Sequence, residues 1–289
     1  MARRPVTVRR YLLGMELRRL RMTAGVKQET AALHVDMDDS KLSRVENGTS
    51  PISKPELVEL LKLYGVREGE HELFDFLVAL YREARKRGWW YQQRGVIPPS
   101  VQQLIELESS ATSMFQFSLT VVPGLLQTEN YARALISAFP VPAPGSVEKA
   151  VEVRMTRQRI LAEDAAPQLV CVLDEAALRR QVGGPRVQAE QLRKLVTISD
   201  PPRLTVQVVP YSQGVHAGMD GGFKLFSYPD PFNLEFAFVE YLDGRIFVEG
   251  DGQVDAFTRT ADLLRTQALS SDDSLDLIAR IAEDLEKVD

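Results

Sequence analysis

VKQETAALHVDMDDSKLSRVENG, residues 26–48, decides how the front of this chain folds. Ala31, Ala32 and Val35 fall at i, i+1 and i+4, so they share one helical face and are predicted to be buried. Asp36 and Met37 make a tight turn. Asp38 follows as an N-cap, its carboxylate placed to accept the orphan amides of a second helix. In that helix Leu42 and Val45 point inward, while Ser40, Lys41, Ser43 and Arg44 face outward. Gly48 then ends the helix as a residue free to take positive φ. Two short helices at a steep angle, the second polar and basic on its outer side, fit the major groove of duplex DNA. Spacing alone fits a bare packing unit equally well. The Lys41/Arg44 pair and the basic neighbourhood favour DNA.

That neighbourhood is measurable. Residues 1–65 carry 12 Lys+Arg against 8 Asp+Glu, a net of +4. The rest carries 23 against 32, a net of −9, within an overall −5. The chain is basic in front and acidic behind, and it is the local positive field that attracts phosphate. Residues 1–10, MARRPVTVRR, hold four arginines and no acid, and read as a solvated tail that can also touch phosphates or a minor groove. Tyr11–Met22 is a predicted helix with Leu13, Leu17 and Leu20 on its apolar face. Helices are also expected over 56–64 and 71–87, the latter with Leu73, Phe76, Leu77, Leu80 and Tyr81 in a wide apolar stripe.

Residues 14–48 resemble the phage-repressor-type (XRE/Cro) helix-turn-helix. The resemblance rests on Gly14, Leu17, Leu20, Gly25, Gln28-Glu29 and the run Ser40 to Gly48. One position departs: Asp36 stands where that family usually has Gly, and Asp tolerates left-handed φ better than most residues. The resemblance implies that Gln28 is a phosphate or base contact. In the groove reading Lys41 and Arg44 meet guanine edges or phosphates, Ser40 and Ser43 meet bases or phosphates, and Lys27 and Gln28 anchor the backbone. Asp39 either accepts from a cytosine amine or repels DNA. One such helix reads about 4–5 base pairs, so a homodimer on an inverted-repeat operator is expected.

The length of 289 residues suits two domains. The expected division is a helix-turn-helix domain with closing helices over 1–87, a linker over 88–99, and an α+β domain with a mainly antiparallel sheet over 100–289. The linker holds both tryptophans, Trp89 and Trp90, which are expected to pack between domains or at a subunit or partner interface. In the second domain helices are expected over 101–115, 128–136 and 147–162. From residue 168 the period turns strand-like, with strands over 168–173, 204–210, 223–228, 236–242 and 245–249. Asp243-Gly244 reads as a hairpin turn, and an acidic helical tail runs from about Gln253.

Pro123-Gly124-Leu125-Leu126-Gln127-Thr128-Glu129, Tyr131-Ala132-Arg133, Arg157-Gln158, Val172 to Leu178, and Val206 to Pro210 with Gly214 resemble the C-terminal domain of a large actinobacterial regulator family that includes WhiJ-like developmental, antitoxin-like regulators. That resemblance implies a small cognate partner protein that modulates DNA binding.

Little in the sequence points to catalysis, and the chain is read as no enzyme. His34, His71 and His216 are scattered and give no metal site, and no nucleotide or metalloprotease motif is present, so no cofactor is expected. Cys171 is the lone cysteine, mid-strand. Asp174-Glu175 reads mainly as a cap on the following helix. The loop Gly214–Gly222, with His216 and Asp220, is the candidate small-molecule site of an alternative, metabolite-sensing regulator; a turn needing positive φ explains the same glycines. Without a signal-peptide pattern or membrane-length apolar run, a cytoplasmic, nucleoid-associated protein is expected.

Overall fold

The computed structural model describes residues 8–69, 72–85, 97–139, 146–163, 166–228, 235–241, 244–248 and 251–287. They divide into two compact units, one built on the chain up to residue 85 together with Pro98–Ser110, the other on the residues from Ala111 onward.

The first unit is helical: α1 (Val8–Thr23), α2 (Gln28–His34), α3 (Asp39–Glu46), α4 (Lys54–Leu63), α5 (Glu72–Arg85) and α6 (Pro99–Ser110). α1 is its axis and packs on α3, α5 and α6. Its leucines Leu13, Leu17 and Leu20 join Ala31, Ala32, Val35, Leu42, Val45, Leu57, Leu60, Leu61, Phe74 and Leu77 in one core. Val8 to Arg10, read as part of the tail, form the first turn of α1. α6 falls in this unit, whereas the sequence reading put those residues at the head of the second domain. The linker residues 88–96, including Trp89 and Trp90, lie outside the described residues.

Two features fix α1 against α3. Gly14 sits where α1 crosses the C-terminal end of α3; a Cβ there would lie 2.6 Å from Glu46 O and closer still to Val45 O. Only a residue without a side chain permits that approach. Arg21 then grips Glu46, with Nε donating to Oε1 at 2.7 Å and Nη2 to Oε2 at 3.0 Å. Its Nη1 donates to Val26 O at 3.1 Å, so the same guanidinium also ties down the loop before α2. Glu46 is 3% exposed and Arg21 11%.

The second unit is a six-stranded sheet with helices. Its elements are β1 (Ser113–Ser118), α7 (Glu129–Ser137), α8 (Ser146–Gln158), β2 (Gln168–Asp174), α9 (Glu175–Arg179), α10 (Pro185–Ile198), β3 (Leu204–Val209), β4 (Phe223–Ser227), β5 (Glu235–Tyr241), β6 (Gly244–Val248), α11 (Asp251–Gln267) and α12 (Ser271–Glu286). Strand order is β3-β2-β1-β4-β5-β6. The pairs β1–β2 and β2–β3 are parallel; β1–β4, β4–β5 and β5–β6 are antiparallel. The sheet is therefore mixed, which corrects the expected mainly antiparallel one. The cause is connectivity: α7–α8 and α9–α10 are crossovers that return the chain in the same direction, and crossovers make parallel neighbours. A second correction concerns Ser113–Ser118. Residues 111–115 are expected as the end of a helix, but the helix stops at Ser110, and Met114, Phe115 and Phe117 are buried in the strand that pairs with both β2 and β4.

Buried glutamines lock the crossovers. Gln191 of α10, fully buried, accepts from Thr128 N at 2.6 Å and donates to Leu126 O at 2.8 Å. Gln127 Nε2 donates to Val122 O at 2.7 Å, and Gln158 Nε2 donates to Gly124 O and Gln127 O at 2.8 and 2.9 Å. The short 3-10 turn Gly124–Leu126 has no ladder to satisfy its backbone, so these side chains do it. α12 closes the β3 side: Leu269 N donates to Val208 O at 2.9 Å, and Val208 N donates to Ser274 Oγ at 3.0 Å.

Two stability experiments check this account by chemical denaturation. Arg21→Met is expected to cost the first unit about 3–5 kcal/mol, since it strands a buried carboxylate, and Arg21→Met/Glu46→Gln to recover part of that loss. Gln191→Leu is expected to cost the second unit about 2–4 kcal/mol, because an amide and a carbonyl lose their buried partners together.

Candidate nucleic-acid interface

The turn between α2 and α3 is built as its sequence dictates. Ala31, Ala32, Val35, Leu42 and Val45 are all buried, and Met37 from the turn joins them. Asp36 takes φ +52°, the only positive φ at a non-glycine position among the described residues. Asp38 caps α3, its Oδ1 accepting from Lys41 N at 2.7 Å. Thr49 N and Ser50 N, at 2.8 and 3.0 Å, satisfy Arg44 O at the other end. Ser53 and Glu56 form a reciprocal capping box at the start of α4.

With the inner face buried, α3 presents Ser40 and Arg44 to solvent and leaves Lys41 and Ser43 half-buried. The side chains of Arg44 and Lys27 are exposed and make no ion pair or side-chain hydrogen bond among the described residues. Lys41 differs: its ammonium donates to Glu56 Oε1 at 2.7 Å. Burial pushes the Glu56 carboxyl upward, but Lys41 and the Ser53 amide hold it below the ordinary carboxylate range. Gln28 Nε2 donates to Asp39 Oδ1 at 2.9 Å and to Asp39 O at 3.1 Å, which ties the first residue of α2 to the first of α3. Glu56 as the partner of Lys41, and Asp39 as the partner of Gln28, went unnoticed in the sequence. The capping-box spacing Ser53-x-x-Glu56 was the one signal that pointed to Glu56.

The second unit places the remaining candidates. His216 is buried; its Nε2 lies 3.0 Å from Asp174 Oδ2, and its Nδ1 accepts from Gly218 N at 3.2 Å. Asp174 also caps α9 through Ala176 N at 2.7 Å, as read from the sequence. Glu175 accepts from Tyr211 N at 2.7 Å and from Arg179 Nε at 2.6 Å. A Cβ on Gly218 would collide with the Phe117 ring, 2.6 Å from Cζ, so the loop Gly214–Gly222 is packed down against β1. Asp220 is exposed. A cavity of about 260 Å³ touches the end of this loop at Gly222; neither His216 nor Asp220 lines it. Among the described residues no group of three or more potential metal ligands gathers, and no helix is long and apolar enough to cross a membrane.

Residues 12–74 match a family described as a helix-turn-helix domain. Together with the exposed polar face of α3, this supports a DNA-binding regulator. No curated protein and no solved structure matches the chain. Residues 101–280, well over half of the sequence, match the family described as a domain of unknown function, DUF5753, and the chain belongs to that family.

Proposed function

We propose that this protein is a sequence-specific transcriptional regulator that binds an inverted-repeat operator as a homodimer, with the second unit setting when it binds. The observation that carries the reading is the state of α3. It is clamped from behind by Arg21–Glu46 and the Gly14 approach, and it offers exposed Arg44 and Ser40 in front. A rigid helix with free polar groups on its outer face is what base readout requires. Lys27, at the N-cap of α2, is the matching backbone anchor, and Gln28 contributes by holding Asp39 in place. Asp39 keeps a second carboxylate oxygen, so it is read as an acceptor for a cytosine amine in the groove. Lys41 serves first as the brace of α4 and reaches phosphate only if it leaves Glu56.

The homodimer is argued from size: an eight-residue α3 spans one short patch of groove, and two copies double the sequence read. Control by a small cognate protein rests on the resemblance to WhiJ-like, antitoxin-like regulators. A binding rather than a catalytic role is read from the sequence, which carries no nucleotide-binding or metalloprotease motif. A cytoplasmic, nucleoid-associated location follows from the DNA reading.

Genome-wide footprinting followed by binding assays on the recovered sites tests this. Arg44→Ala is expected to lose about 1–3 kcal/mol on the operator and to relax specificity at one base pair. Equal weakening on all sequences would make Arg44 a phosphate contact, and a wild-type protein without salt-sensitive preference for any duplex would end the proposal. Lys41→Ala is expected to lower thermal stability along with affinity, whereas Arg44→Ala leaves stability within about 0.5 kcal/mol. Size measurement of the native complex, showing a second small chain in fixed ratio, checks the partner reading; a chain that regulates its operator alone removes it.

A further inference from the structure

α11 has two faces that differ in kind. Inward it buries Val254, Ala261 and Leu264, with Phe257 packed beside them, in the core against the sheet. Outward it exposes Asp255, Ala256, Arg259, Asp262, Leu263 and Thr266. At about 100° per residue, Arg259 stands opposite the buried stripe, with Asp255 and Asp262 on one flank and Ala256 and Leu263 on the other. Leu263 is 54% exposed, which leaves a large aliphatic side chain in water.

The charges of this face are unpaired. Asp255, Arg259 and Asp262, with Arg265 at the edge of the acidic flank, make no ion pair or side-chain hydrogen bond among the described residues. In α7 and α9 the same i,i+4 spacing closes, Glu129 on Arg133 at 2.7 Å and Glu175 on Arg179 at 2.6 Å. Asp255 is one methylene shorter than those glutamates and leaves Arg259 unmet.

The order of these residues is self-complementary. A two-fold axis crossing α11 at Thr260 runs a second α11 antiparallel and sets each flank against the same flank of its copy. Asp255, five residues before Thr260, then stands level with Arg265 of the second copy, five after. Arg259 and Asp262, one before and two after, meet within one residue of register, about 1.5 Å. Ala256 and Leu263, four before and three after, meet as closely, the small side chain making room for the large one. The Arg259 and Asp262 of both copies form a charge-neutral quartet at the axis. A parallel pairing would instead set Asp against Asp and Arg against Arg.

We propose that the outward face of α11 is the contact between two copies of this chain, an antiparallel helix pair centred on Thr260. This rests on the homodimer of the operator reading and names its surface. The opposite charges fix the register, since exposed ion pairs add little affinity, and Leu263 closing on Ala256 supplies apolar contact. An isologous contact gives the two-fold symmetry that an inverted repeat demands.

Sedimentation velocity of the full-length protein without DNA, over a micromolar concentration series, is the test. A monomer–dimer equilibrium is expected. Arg259→Glu and Asp262→Arg should each raise the dimer dissociation constant about tenfold or more, although they change net charge in opposite directions. The exchange Arg259→Glu/Asp262→Arg should return it to within about threefold of wild type, because both partners change sign together. Leu263→Ser should also weaken the dimer, and Arg186→Glu, on the exposed side of α10, should not. Every substituted side chain is exposed, and circular dichroism checks that each variant folds. The proposal is overturned if the wild type stays monomeric, if the single charge variants dimerise as the wild type does, or if the exchange fails to restore the dimer. Equal weakening by Arg186→Glu would trace the effect to net charge and overturn it too. Footprinting separates this surface from the operator reading: symmetric half-site protection by the wild type keeps that reading whatever the fate of α11, and its absence removes the homodimer itself.

Discussion

The inner side of α3 is held by the Arg21–Glu46 ion pair. Arg21 closes on Glu46 through two hydrogen bonds, and its third nitrogen reaches Val26 O. A planar fork on a carboxylate fixes direction as well as distance, which a lysine could not do. The pair works only because Gly14 lets α1 lie almost against the last carbonyls of α3. α3 has just eight residues, and a helix so short has little stability of its own. Its orientation, and hence everything it presents outward, comes from what grips its inner side.

In front of that clamp, the polar residues of α2 and α3 divide into two kinds. Asp39 and Lys41 are engaged by Gln28 and Glu56, and so stiffen the joints between helices. Arg44, Ser40 and Lys27 face solvent. An acid at the start of a helix proposed to meet DNA looks unfavourable when only its charge is considered. Once Gln28 donates to it, the carboxylate has a fixed direction, and near the positive end of the α3 dipole it is also favourably placed.

The second unit follows the same logic with neutral groups. Its parallel strands demand long crossovers, and the turn Gly124–Leu126 at the start of the first one has no secondary structure to satisfy it. Gln158 and Gln191 meet the carbonyls of Gly124 and Leu126, and Gln127 meets Val122 O just before the turn. A fully buried glutamine with both ends used is a strong constraint, because any slip of α10 would leave donors and acceptors stranded in an apolar interior.

Local chemistry made much of this legible from the sequence. Apolar spacing placed Ala31, Ala32, Val35, Leu42 and Val45 inside, and side-chain size and charge placed the caps Asp38, Thr128 and Asp174. The left-handed turn at Asp36 was expected because few other residues tolerate it. These features depend on neighbours within about four positions, the range over which a helix or turn is decided. Sheet direction, the strand over Ser113–Ser118, and the partners of Asp39, Lys41, Arg21 and His216 were not legible. Each depends on residues brought close only by the fold: Glu46 is 25 positions from Arg21, and Asp174 is 42 from His216. The sequence by itself determined a helix-turn-helix ahead of an α+β domain. Which polar side chains are free to meet a ligand was decided by tertiary structure, because an exposed charge and a paired one are the same residue until packing supplies the partner.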